Sequence, residues 1–121
     1  MAKYELYQIR LTDEEVNKIN TLGHNSVPKH VAHLDMSFND RIEVLAQEAY
    51  DNGYYTHVAN IDAEDLNDVF RIGNLCIEAQ IQRLERMHSP SVGDIIVDDL
   101  GHYYVISSFG FTLLTEASLA A

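Results

Sequence analysis

From Lys3 to Arg10 the chain is rich in aromatic and branched side chains set among polar ones, with Tyr4 and Leu6 on one face, which predicts a strand. Thr12-Asp-Glu-Glu15 has the capping-box spacing: a hydroxyl serves a free amide of the first turn and a Glu carboxylate reaches back, so a helix begins there. Val16 and Ile19 are its apolar positions and Gly23 its stop. Residues 24–29 read as a loop. Over 30–38 Leu34, Met36 and Phe38 alternate while Val31 and Ala32 do not, so strand and short helix both stay open. Asn39 or Asp40 can cap a second helix with Ile42, Leu45, Ala46 and Ala49 inward, closed by Asn52-Gly53. Residues 54–60 predict a strand by β propensity. Asp62 then caps a third helix over 63–72, with Leu66, Val69 and Phe70 inward and Gly73 as its end. Ile77, Ile81 and Leu84 recur at helical spacing among strong helix formers, which predicts a fourth helix within 74–87. Asp94–Val97 and His102–Ser107 are two β runs joined by a turn ending in Gly101, a hairpin. The pattern as a whole predicts one α+β domain over 1–116, short helices packed on a small, mostly antiparallel sheet with a C-terminal hairpin, and a frayed tail over 117–121.

Length agrees with a single core, since 121 residues leave no room for a second of comparable weight, and 46% apolar residues suffice without a disulfide or metal. No apolar run reaches membrane-spanning length and no basic segment precedes an apolar one, so neither a span nor a signal peptide is expected. With the single Cys76, this points to a reducing cytoplasm. Charge changes the picture most. Nineteen Asp and Glu against eight Lys and Arg give a net −11, which repels phosphate backbones and anionic lipid, so direct binding of nucleic acid or membrane is not expected. Between Asp35 and Glu78 lie ten carboxylates and two arginines.

Candidate chemistry is sparse. His24, His30 and His33 with Asp35 could share an ion if 30–38 were helical, but the spacing matches no zinc signature, so no metal and no cofactor are expected. Cys76 between Leu75 and Ile77 reads as a buried small hydrophobe, and His88 beside Ser89 is no nucleophile–base pair by adjacency alone. Ser91-Val-Gly-Asp94 reads as a turn lock, in which Gly93 takes a positive φ and the Asp94 carboxylate bonds nearby amides. Phe109 and Phe111 flank Gly110 as core rings. No catalytic constellation emerges, and the chain reads as a non-enzyme.

The stretch His88-Ser-Pro-Ser-Val-Gly-Asp94-Ile-Ile-Val97, then Gly101-His-Tyr-Tyr104-Val-Ile-Ser-Ser108-Phe-Gly-Phe111, resembles the YodL-like family of small bacteriophage and mobile-element domains. Tyr7-Gln8, Tyr55, Val69-Phe70 and Asn74 are similar to that family's looser landmarks, and Ser107 departs from it where Asp is usual. The resemblance implies a phage or mobile-element origin with accessory or host-facing roles, and places the motif at His88, Ser89, Ser91, Val92, Gly93, Asp94, Tyr104, Ser108, Phe109, Gly110 and Phe111. Joined to the acidic excess, it gives an accessory protein that works by protein–protein binding. Glu43, Glu48, Asp51, Glu64, Asp65 and Asp68 are the candidate contacts for a host protein with a basic surface. Two readings of those carboxylates stand side by side: a solubilising face, or a row that mimics the phosphates of DNA and inhibits a nucleic-acid-handling or defence complex. A structural protein that forms homodimers or larger oligomers through its aromatic hairpin is the alternative, and a small metal-binding protein or hydrolase the third.

Overall fold

The computed structural model describes residues 2–38, 41–107 and 110–114, so the expected tail over 117–121 lies outside the described residues. One six-stranded antiparallel sheet organises the chain, as an α+β domain. Its strands are β1 (Ala2–Ile9), β2 (Tyr55–Ala63), β3 (Ile81–Arg83), β4 (Ile95–Val97), β5 (Tyr103–Ser107) and β6 (Gly110–Leu113), in the order β3-β2-β1-β4-β5-β6. The helices are α1 (Asp13–Leu22), α2 (Pro28–Phe38), α3 (Ile42–Asp51) and α4 (Leu66–Leu75).

Because side chains alternate across a strand, the sheet has two apolar faces. Tyr4, Leu6, Ile61, Ile96 and Ile106 point to one, where Val69 and Ile72 of α4 cover them. Ile9, Ile95, Val97 and Val105 point to the other, under Met36 of α2 and Ile42, Ala46 and Ala49 of α3. Thr12 and Glu15 form the expected capping box at 3.1 and 2.8 Å. Yet α1 buries no residue, and Val16 and Leu22 are exposed.

The structure settles 30–38 as helix. Pro28 stands at the first helical position, where its fixed φ fits and its missing N–H costs nothing, and the short alternation of Leu34, Met36 and Phe38 carries no weight against it. It corrects the expected fourth helix over 74–87. α4 ends at Leu75, a 3-10 turn spans Glu78–Gln80, and Ile81 pairs with Ile61 as edge strand β3. Ile81 is buried by that pairing while Gln82 and Arg83 stay exposed, so helix formers on an edge strand lose nothing by being there. Gly73 does not stop α4. It sits inside it, buried, because a Cβ there would lie 2.4 Å from Pro90 Cγ. The stop is Cys76, left-handed at φ 54° and exposed rather than buried. Asp62 is not the cap of α4 either; β2 runs through it, and Asp65 accepts the Asp68 amide at 2.7 Å. That shift rotates the helix, so Ile72 points inward and Phe70 is 38% exposed. Asn39, Asp40, Ser108 and Phe109 lie outside the described residues. The hairpin is present as β4–β5 and continues into β6, which the sequence pattern did not separate.

Candidate functional site

Two polar arrangements stand out, one buried and one open. The buried one gathers the residues that carry the resemblance. Gln8, fully buried on β1, donates from Nε2 to Asp94 Oδ2 at 3.0 Å and to the His88 carbonyl at 2.8 Å, and accepts the His88 amide at 3.1 Å. The Ser91 amide donates to the same Asp94 oxygen at 3.0 Å, as a turn lock requires. Tyr55 donates its hydroxyl to the Gly93 carbonyl at 2.6 Å, and Asn74 reaches the Pro90 carbonyl at 3.3 Å. Residues far apart in the chain thus converge on 88–94. Gly93 has φ 95°, and a Cβ on it would stand 3.2 Å from Met36 Sδ, so glycine serves both the turn and the packing of α2.

Asp94 Oδ1 is buried without a hydrogen-bond partner among the described residues. Burial pushes this carboxyl up to about 7, against the pull of the His88 ring and of the bonds from Ser91 and Gln8. Burial also lowers the His33 imidazole, helped by His88, whose ring stacks on it at 6.5 Å, and by His30. No group of three or more His, Cys, Asp or Glu among the described residues could hold a metal ion. Within the motif Ser89 is exposed, Val92 packs partly into the α3-side core, and Phe111 is half-buried against the α4-side core. Tyr104 bonds Asp98 Oδ2 at 3.4 Å, and Gly110, at φ 137°, accepts from the Ser107 hydroxyl.

The open arrangement lies on the α3 side of the sheet, where the helices cover only half the strands. On β1, Lys3, Glu5 and Tyr7 share that side, facing Asp62, Asn60 and His57 of β2. A bulge makes this possible: the register moves by one at Leu6/Tyr7, so Val58 stays buried while His57 comes to the open face. His57 stacks on Tyr7 at 4.8 Å, its Nε2 lies 2.8 Å from Asn60 Oδ1, and Tyr7 donates its hydroxyl to Glu5 Oε1 at 2.9 Å. Tyr50 at the end of α3 meets Tyr7 and Tyr103 edge-on at 6.3 and 5.5 Å. The turn after β4 supplies Asp98 and Asp99 and completes a trough of about 510 Å³.

Three carboxylates, those of Glu5, Asp98 and Asp99, belong to the residues that line the trough, against the one ammonium of Lys3. The Tyr7 hydroxyl is held above its ordinary range by burial and then by its bond to Glu5. Tyr50 is pushed up to about 12 by its bond to Tyr103, by burial, and by the charges of Glu5 and Asp51. Asp98 is engaged by its own turn. Burial raises its carboxyl, but bonds from the His102 amide and ring and the Leu100 amide outweigh this and hold it below the usual range.

The six candidate carboxylates do not form one surface. Glu43, Glu48 and Asp51 ride on α3 and Glu64, Asp65 and Asp68 at the start of α4, on opposite sides of the sheet. Asp65 is a helix cap, and Asp68 accepts the Glu64 amide and pairs with Arg71 at 2.6 Å. Sequence reasoning missed Glu5, Asn60 and Tyr103 and gave Tyr7 only as a landmark of the resemblance; strand alternation does not say which half of a sheet face the helices leave open, and nothing in the sequence joins Tyr50 of α3 to these strand residues. No protein-family model, curated protein or solved structure matches the chain. No helix among the described residues is long and apolar enough to cross a membrane.

Proposed function

We propose that the protein acts without catalysis, as a phage or mobile-element accessory protein that binds a partner of positive surface charge through the α3 side of its sheet. The observation that carries this reading is the packing of Tyr50, in the same last turn of α3 as Glu48 and Asp51, edge-on against Tyr7 and Tyr103, which joins the acidic helix to the strand that bears Glu5 and to a trough lined by Glu5, Asp98 and Asp99. α3 carries Glu43, Glu48 and Asp51 and no Lys or Arg. On the α4 side Asp65 and Asp68 already have partners, which supports assigning them to stability rather than contact.

The test compares two variants with equal charge change. Glu48→Gln/Asp51→Asn removes two charges from the proposed surface, and Glu64→Gln/Glu85→Gln removes two from exposed residues ahead of α4 and after β3 that do not line the trough and make no side-chain bonds among the described residues. Immobilised parent protein should retain a specific basic protein from bacterial extract at low salt and release it at high salt, as screening dictates. The α3 pair should lose it and the control pair keep it. Equal loss in both would reduce the charge to a solubility feature. A second reading, assembly of identical copies, is favoured by edge strand β6, where Leu113 is 56% exposed. Light scattering that shows a concentration-dependent dimer abolished by Leu113→Lys would move the assignment there.

A further inference from the structure

We propose that the trough on the open half of the sheet is a socket for one arginine side chain of the partner. This rests on the reading that the partner is basic, and adds which group is gripped and where. Glu5 Oε1 is engaged by Tyr7, but Oε2 takes no hydrogen bond among the described residues, and the His57 ring stands 3.9 Å from Oε1. Asp99 is exposed across the trough and makes no side-chain bond among the described residues. Glu5 and Asp99 therefore line one space that has aromatic surface beside it, the Tyr103 ring and the stacked His57–Tyr7 pair.

That combination fits a guanidinium better than an ammonium. The planar cation presents a fork of N–H donors to carboxylates and lies flat on aromatic rings, whereas an ammonium is a hydrated point charge. It disfavours phosphate and carboxylate ligands, since Asp98 and Asp99 line the same space. Lys3 is the one cation among the residues that line the trough, so it competes with an incoming arginine and should weaken binding in the parent.

The probe is acetyl-Gly-Arg-Gly-amide, titrated into isotopically labelled protein and followed by amide NMR shifts, beside the same peptide with lysine or citrulline. Saturable shifts should centre on Glu5, His57, Asn60, Asp99 and Tyr103, with arginine tighter than lysine and citrulline silent. Glu5→Gln or Asp99→Asn should weaken the arginine peptide about five-fold, and Lys3→Ala should tighten it about two-fold. Glu64→Gln/Glu85→Gln should leave it unchanged. Asp99→Asn keeps the test decisive if Glu5→Gln disturbs Tyr7, because Asp99 makes no side-chain hydrogen bond among the described residues. Shifts scattered over α3 and α4, equal response to lysine, or equal loss in the control pair would overturn the socket. Capture of a basic partner with no trough shifts from the peptide refutes the socket and leaves the functional reading standing. Trough shifts from the peptide with no basic partner captured support the socket and refute that reading.

Discussion

Asp94 has the most to lose from its surroundings. It is 1% exposed, with one oxygen bonded twice and the other unpartnered among the described residues. With its carboxyl raised to about 7 from an ordinary 3.8, the folded chain holds a proton at Asp94 between those values that the unfolded chain has released. Stability from this group is therefore full below about 4 and declines as pH rises towards 7. His33 works in the opposite direction. Its lowered pKa means the unfolded chain takes up a proton below 6.5 that the folded chain resists, so stability rises with pH there. Comparison with Asp94→Asn separates the two, because His33 is common to both proteins. Urea unfolding should show the variant gaining about 2 kcal/mol on the parent between about pH 5 and pH 8. A constant difference would contradict the assignment. At Gly93, Gly93→Ala should cost about 2 kcal/mol, from the left-handed backbone and from crowding of Met36.

At the scale of elements, α4 is the sharpest test of how the chain specifies its structure. Asp65→Ala should destabilise by about 1 kcal/mol through loss of the cap, whereas Asp62→Ala should stay within about 0.5 kcal/mol. The reverse order would restore the cap to Asp62. Gly73→Ala should destabilise by about 1–3 kcal/mol despite the better helix propensity of alanine, because its methyl meets Pro90. Thermal melts of the three variants decide both points. Local chemistry made β1, the capping box of α1, the core positions of α3, the strand at 55–60 and the β4–β5 hairpin legible, since each is specified by its own residues. Segment 74–87 was not, because Ile77, Ile81 and Leu84 suit a helix, and only pairing of Ile81 with Ile61 draws the chain into an edge strand. The lock at 88–94 was half legible: the turn role of Gly93 and Asp94 follows from residue types, while Gln8 joins them from 86 residues away. The trough was not legible, as it depends on a bulge at Val58 and on how far α2 and α3 extend over the sheet.

Across the whole molecule, one sheet separates two acidic groups with different surroundings. The α4 side uses Asp65 and Asp68 to cap and brace its helix, and the α3 side keeps Glu48, Asp51, Glu5 and Asp99 turned outward beside a tyrosine-rich trough. Long-range attraction to a basic partner would act through the net −11, accelerate encounter and fade with salt. Short-range selection would occur only where carboxylates and aromatic surface coincide. The most direct measurement is a hydrogen–deuterium exchange footprint of the captured partner on this protein. Protection on β1, the end of α3 and the turn between β4 and β5, with α4 and β6 unchanged, is the predicted result. Protection confined to α4 or to edge strand β6 would contradict it.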